Sequence, residues 1–438
     1  LVAIPSANVP HLSSLGDGIP LLTGSLPITQ LAHSGPLFPH PACSVTVPRG
    51  RQTASGKEAI SRVLFSHEGT DYLEVWRLPD SNRLEAAVSY LARPRTPEGM
   101  GELVEVTVLP RGASRMALVR LEEEVKLTAR LEHPAIARVH GLYTHSGDTF
   151  LVAEHVEGCS LESVGSLTTL RQKLMSQAFA VYVASEVAGA LHYAHTLTDE
   201  QGCPLGIVHR GVGSESIRVG LRSGVVKLAD FAFAYSLLPE RAPSPERLIR
   251  GIIDTAAPER LALKGRPGVD FRADLFSLGV LLLELLTGRT LYDLDAVETA
   301  AQRALRAHKR RARLVAEVPS WVPVTDMAMR AAAVHPMHVA AALRDAGVST
   351  PVGDVVRKLL RHDPAERYAT AAQVRADLQA CLNALEGGPY GAEEAARELR
   401  QARDEAEVSP LREELGLFEM GVFKDDVPPR PEDTRCPH

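Results

Sequence analysis

The chain has 438 residues, 48 Lys+Arg against 54 Asp+Glu, a formal net charge of −6 and 45% hydrophobic content. That length holds two or three domain-sized units or one large two-lobed domain. A slightly acidic chain lacks the positive charge to neutralise a nucleic-acid backbone or to coat an acidic membrane. Only eight of the basic residues are lysines (Lys57, Lys126, Lys173, Lys227, Lys264, Lys309, Lys358 and Lys424), against 40 arginines. Chemistry that needs a lysine therefore has few candidates.

The five cysteines, at 43, 159, 203, 381 and 436, never approach C-x-x-C spacing. Neither a zinc site nor a disulfide framework is expected, and a reducing cytoplasm is the natural location. The longest apolar stretch, Leu278 to Leu286, is broken by Glu284 and has half the length needed to span a bilayer. No charged region precedes an apolar core at the start, so no signal peptide is expected. Leu1 opens the chain and Met100 is its first methionine, so the natural N-terminus is expected to lie upstream.

Residues 1–68 are rich in Pro, Ser, Gly and Thr without a sustained period, which predicts a disordered or linker segment. From Tyr72 short β-branched runs appear, and strands are predicted over 72–78, 88–92 and 103–109. A helix is predicted over 117–131, with apolar residues at 118, 121, 125, 127 and 131. Two more strands are predicted around 137–143 and 149–154. After Gly158 the pattern turns helical, with a long Ala/Val-rich helix over 177–195. Short strands are predicted at 206–209, 217–221 and 225–229, and a helix buried nearly all round at 271–287. Segment 289–350 reads as an Ala/Arg-rich helical insert. Residues 351–385 read as two helices about the turn Asp363-Pro364, and a charged helix is predicted over 392–407 before a Pro/Asp-rich tail.

A small sheet with one helix followed by a larger helical lobe is an α+β, two-lobed architecture. Within it the order of short motifs resembles the protein kinase superfamily, in particular bacterial eukaryotic-like Ser/Thr protein kinases. His209-Arg210-Gly211 stands where kinases carry His-Arg-Asp, and Asp230-Phe231-Ala232 where they carry Asp-Phe-Gly. Ala257-Pro258-Glu259 closes the activation segment, Asp274 opens a D-x-x-S-L-G run, and Arg367 lies in Asp363–Tyr368. Glu124 stands at the glutamate of the small-lobe helix. The resemblance covers 69 to about 386, with a small lobe at 69–157, a large lobe at 158–386 and a charged tail at 387–438.

Against that template the chemistry is depleted. Kinases lay a glycine-rich hairpin over the triphosphate, because only glycine lets backbone amides approach so closely. Here no glycine occurs from Thr70 to Glu98. Thr107 stands at the lysine that holds the α- and β-phosphates, and no lysine lies between Lys57 and Lys126. Glu105 beside it repels a polyphosphate. Glu124, left without its lysine, is expected to be solvated or paired with an arginine. Gly211 replaces the catalytic Asp, Gly213 the loop lysine and Ser216 the metal-binding Asn. Loss of general-base catalysis alone is worth about 10²–10⁴-fold. Glu215 is the nearest carboxylate and is common filler at this place in intact kinases.

The resemblance assigns structural roles to His209, Arg210, Phe231, Glu259, Asp274 and Arg367. Asp230 is the one surviving metal ligand. Alone it binds Mg²⁺ weakly, since that ion is largely held through substrate phosphates; the alternative is a vestige or the cap of a local turn. Ile252 replaces the threonine usual after the glycine of the activation segment. Ser236, Ser244 and Thr255 there are either plain loop residues or targets of another kinase. The basic run His308–Arg313 reads as a solvated helix face, and His335 with His338 lack a third metal ligand.

The sequence thus points to a cytoplasmic, catalytically inactive kinase-fold protein, a pseudokinase that binds another protein, either an active kinase or its substrate. No cofactor is expected beyond weak ATP and Mg²⁺, and no nucleic acid. A divergent but active ATP-dependent Ser/Thr kinase is the alternative, and a decayed gene product a third.

Overall fold

The computed structural model describes residues 62–78, 87–238, 255–261, 270–289, 291, 338–385 and 387–409. The small lobe is an antiparallel sheet of β1 (Val63–His67), β2 (Thr70–Arg77), β3 (Val88–Thr96), β5 (Val104–Leu109), β7 (Asp148–Glu154) and β6 (Val139–His145), in that spatial order. The two-residue β4 (Gly99–Met100) pairs with β3. Period-two alternation divides its core into two faces. Val104, Val106, Phe150 and Val152 join Phe65 and Ala92 on one. Leu109 and Leu151 meet Ala117 and Leu121 of helix α1 (Arg115–Thr128) on the other.

Strand β1 corrects the expectation that the N-terminal segment extends to residue 68. Phe65 anchors it, stacked on Tyr72 and on Phe150 with ring centroids 4.3 Å from each. Residues 1–61 lie outside the described residues.

The large lobe opens with β8 (Cys159–Ser160), α2 (Leu161–Arg171) and α3 (Gln177–Thr196). Ser160 and Ser176 cap the two helices, accepting from the amides of Ser163 and Phe179. Strands β9 (Ile217–Val219) and β10 (Val226–Leu228) form a small antiparallel sheet with β8. Then come α4 (Pro258–Leu261), α5 (Arg272–Thr287), α6 (338–345), α7 (Thr350–Leu359), α8 (Ala371–Ala384) and α9 (Ala392–Glu407). Helix α5 is buried on almost every side, as its continuous apolar run requires. The strand expected at 206–209 does not form; Val208 makes a single bridge to Tyr235. Most of the 289–350 insert, including the basic run and His335, lies outside the described residues. Among the described residues no helix is long and apolar enough to cross a membrane.

The charged helix predicted at 392–407 forms with those bounds and docks on the large lobe. Its buried side is Ala395, Ala396, Leu399, Ala402 and Ala406, and the small side chains let it lie close to α2 and α3. Polar ties run along it as well. Glu398 accepts from the amide and hydroxyl of Ser176 at 2.6 and 2.7 Å and from the Tyr390 hydroxyl at 2.7 Å. Arg171 pairs with Glu405 at 3.1 Å, and Arg400 donates to the Leu221 carbonyl at 2.9 Å. A Cβ on Gly224 would lie 1.7 Å from the Ala392 carbonyl oxygen, so the β9–β10 turn leaves room for this helix only as glycine. Leu399→Ala is expected to cost about 2–5 kcal/mol in urea unfolding. A loss below about 0.5 kcal/mol, the range of plain surface changes, would mean that α9 is not part of this core.

Candidate functional site

The cleft between the lobes is bounded above by β5 and α1 and below by the segment between α3 and β9 and by the turn after β10. Thr107 on β5 pairs across the sheet with Leu151, and so faces the α1 side. It is 3% exposed, and its hydroxyl lies 3.1 Å from that of Ser89 on the neighbouring strand. The two buried hydroxyls satisfy each other. Glu124 lies on α1, which packs against the turn Phe231–Phe233. At 2% exposure it is buried, which corrects the expectation of a solvated side chain.

Below the cleft, a buried carboxylate organises the chain. Asp274 at the start of α5 accepts from the amides of His209 (2.7 Å) and Arg210 (2.8 Å) and from the His195 ring (2.9 Å). Burial acts to raise its pKa, yet the hydrogen bond and charge of His195, then His209 and the Arg210 amide, outweigh it and hold the carboxyl below its ordinary value. The His209 ring accepts from the Gly211 amide at Nδ1 (3.1 Å) and donates from Nε2 to the Ala229 carbonyl (3.0 Å). That pattern suits a neutral imidazole, and burial, acting against the charges of Asp274 and Asp230, lowers its pKa. Phe231 stands edge-on to the same ring at 4.5 Å.

Ser216 and Gly211, the residues expected at the family's Asn and Asp positions, lie in the segment between α3 and β9. Ser216 is buried; its hydroxyl donates to the Gly213 carbonyl (3.0 Å) and accepts from the Gly213 amide (3.1 Å), closing the loop on itself. Gly211 has no carboxylate to offer. A Cβ there would meet nothing nearer than 3.4 Å, so space does not impose glycine at this place. Asp230 adopts the left-handed conformation (φ 66°, ψ 66°), which Asp tolerates better than most residues. Its side chain makes no capping hydrogen bond to the Phe231–Phe233 turn. No group of three or more metal-ligating side chains occurs among the described residues.

Arg367 grips Glu259 with both terminal nitrogens at 2.7 Å and also donates to the carbonyls of Arg361, Arg272 and His362. This bidentate, fully satisfied pair is the favourable geometry for a buried ion pair. Arg210 stacks on Tyr235 at 4.8 Å. Thr255 is buried and donates to the Val212 carbonyl at 2.7 Å, and Ser236 is also buried, so both are packing residues in this conformation. Ser244 and Ile252 lie outside the described residues.

The protein kinase domain family matches residues 108–378, more than half of the chain. The chain belongs to that family. It is 26% identical over 261 residues to the probable serine/threonine-protein kinase CPE1738 of Clostridium perfringens, covering 59% of this chain and 31% of that protein. It is 32% identical over 303 residues to the serine/threonine-protein kinase PknJ of Mycobacterium tuberculosis, covering 68% and 43%. It is 30% identical over 269 residues to PknL of the same species, covering 61% and 56%. The chain therefore spans only part of the length of these curated relatives. The family match opens at 108, directly after Thr107.

Of the residues expected to be structural, His209, Arg210 and Phe231 gather around Asp274, and Glu259 pairs with Arg367. Sequence reasoning misses Ser89, His195 and Arg218. The signal for Arg218 is a single charge between two apolar strand residues, Ile217 and Val219.

Asp274→Ala would strand two amides and an imidazole, and is expected to destabilise the fold by about 3–5 kcal/mol. Burial holds the His209 ring neutral in the folded state, while the unfolded ring takes a proton near pH 6.5. Stability should therefore fall as pH drops below about 6.5. The Asp274 contribution, present above about 3.9, is lost as pH falls through its lower folded value. Urea midpoints measured between pH 5 and 8 test the first window; a flat profile would contradict it.

Proposed function

We propose that this kinase-family chain is a pseudokinase, a signalling scaffold or allosteric regulator that works by binding another protein and does not transfer phosphate. The observation that carries the reading is the state of two hydroxyls. Thr107 bonds to Ser89 and Ser216 closes on Gly213, at the positions where the family's pattern has the phosphate lysine and the metal-binding Asn. With Gly211 at the catalytic Asp position, the residues present do not fit a magnesium nucleotide. Phosphoryl transfer depends on positioned charge around the phosphates, and Thr107, Gly211 and Ser216 supply none at the positions where the family's pattern has it. The absence of any glycine from Thr70 to Glu98 points the same way.

The structural framework persists, which suits a module whose surface and lobe arrangement are what partners recognise. The reading places the chain in the cytoplasm in a bacterial pathway, its partner an active kinase or that kinase's substrate. A divergent active Ser/Thr kinase is the second reading. It is favoured by the assembled contact of Phe231 with His209, by the buried Glu124 and by the names of the relatives.

Thermal shift and calorimetric titration with ATP, with and without Mg²⁺ or Mn²⁺, decide between them. The expected result is no saturable binding below the millimolar range, with Asp230→Ala indistinguishable from wild type. Micromolar, metal-dependent binding that Asp230→Ala abolishes would overturn the pseudokinase and establish the enzyme.

A further inference from the structure

The two lobes are joined by a short connector, His155 to Gly158, that runs from Glu154 at the end of β7 to β8. Such a link is where a two-lobed protein would hinge, and in this chain it is fastened down. Ile217 and Val219 of β9 point into the large-lobe core, so Arg218 between them faces the other way. Its guanidinium reaches the connector and donates to the carbonyls of Val156 and Gly158, both at 3.2 Å. Lys227 on β10 holds the Glu154 carboxylate at 2.5 Å, with both side chains mostly buried, and Glu154 also accepts from the Arg138 amide at 3.0 Å. Arg222 in the β9–β10 turn pairs with Glu157 at 2.8 Å, but it is largely exposed and adds little. Gly158 completes the seat. A Cβ there would lie 2.1 Å from the Val219 carbonyl oxygen and 2.7 Å from the Gly220 Cα, so the connector rests directly on the end of β9.

His155 shows that the junction is filled from both lobes. Its ring feels Arg218 from the large lobe and Glu105 from the small-lobe sheet. Burial, then Arg218, lowers its pKa against the opposing pull of Glu105, Glu157 and Glu154.

We propose that the β9–β10 hairpin is a polar latch, with Arg218 as its fork and Lys227 as its second point, that fixes the inter-lobe connector to the large lobe. The connector then moves with the large lobe as one body, and the relation between the lobes is set by the chain's own cations. The guanidinium is suited to the task, because one rigid fork spans two carbonyls that are two residues apart and a single ammonium does not. For its purpose the latch rests on the scaffold reading, in which no nucleotide bridges the lobes. Its geometry does not depend on that reading.

Hydrogen–deuterium exchange of the full chain tests it. In Arg218→Met, amides within 154–160 are expected to exchange at least ten-fold faster than in wild type, while α3 and α5 are unchanged. Arg218→Lys, which keeps the charge and so guards against a variant that fails to fold, is expected to accelerate the same amides at least three-fold. Lys227→Met is expected to act on the same segment, and Arg222→Met to stay within two-fold of wild type. Exchange at 154–160 within two-fold of wild type in both Arg218 variants would overturn the latch. A parallel run with ATP and Mg²⁺ separates the two ideas. Slowed exchange in the wild-type connector on adding nucleotide would count against the pseudokinase and leave the latch standing.

Discussion

Asp274 has no access to solvent, and it holds its charge only because three donors converge on it: two backbone amides of the segment below the cleft and the ring of His195. Removing a carboxylate from water is expensive, so the site exists only if those donors are delivered together. Helix α3 delivers His195, the following segment delivers His209 and Arg210, and α5 delivers the carboxylate itself. The neutral His209 ring then passes the constraint on, to Ala229 ahead of the Asp230 turn and to Phe231 beside α1. One buried charge thereby fixes the floor of the cleft and the placement of the small-lobe helix above it.

That framework and the chemistry of the cleft depend on different residues. The framework needs Asp274, His209, Phe231 and the Glu259–Arg367 pair, all retained and all satisfied. Catalysis in this family needs charge aimed into open space, where a substrate completes the coordination. In the proposed reading those positions fall at Gly211, at the self-closed Ser216 and at the Thr107–Ser89 pair. A Cβ on Gly211 would make only ordinary van der Waals contact with the His209 ring, so packing does not require glycine there. The proposed latch adds two internal cations, Arg218 and Lys227, that tie the connector to the large lobe.

The sequence discloses these features unevenly, for physical reasons. Helices α5 and α9 are legible because periodicity and composition mark them: one is apolar all round, the other charged with a recurring alanine face. The framework residues are legible because their spacing and order are specific. Strand β1 is hidden, because Val63 to Phe65 is a brief apolar run at the end of a Pro- and Ser-rich stretch, and its partners Tyr72 and Phe150 are found only once the sheet is paired. The docking of α9 is hidden because alanine carries no strong burial signal, while its ties are to residues more than 170 positions away, such as Leu221, Ser176 and Arg171. The internal bonds of Ser216 and Thr107 depend on rotamers and register, which spacing does not report. Arg218 is a lone charge in a short strand, and only the fold shows that two connector carbonyls receive it.

The central proposal is that a kinase-family framework here surrounds a cleft that does not transfer phosphate. Single-turnover incubation of the purified full chain with γ-labelled ATP and Mg²⁺ or Mn²⁺ tests it most directly, following both free phosphate and label on protein. The account predicts phosphate release no faster than in buffer and no label on the chain. Metal-dependent release that scales with protein concentration and disappears in Asp230→Ala would contradict it.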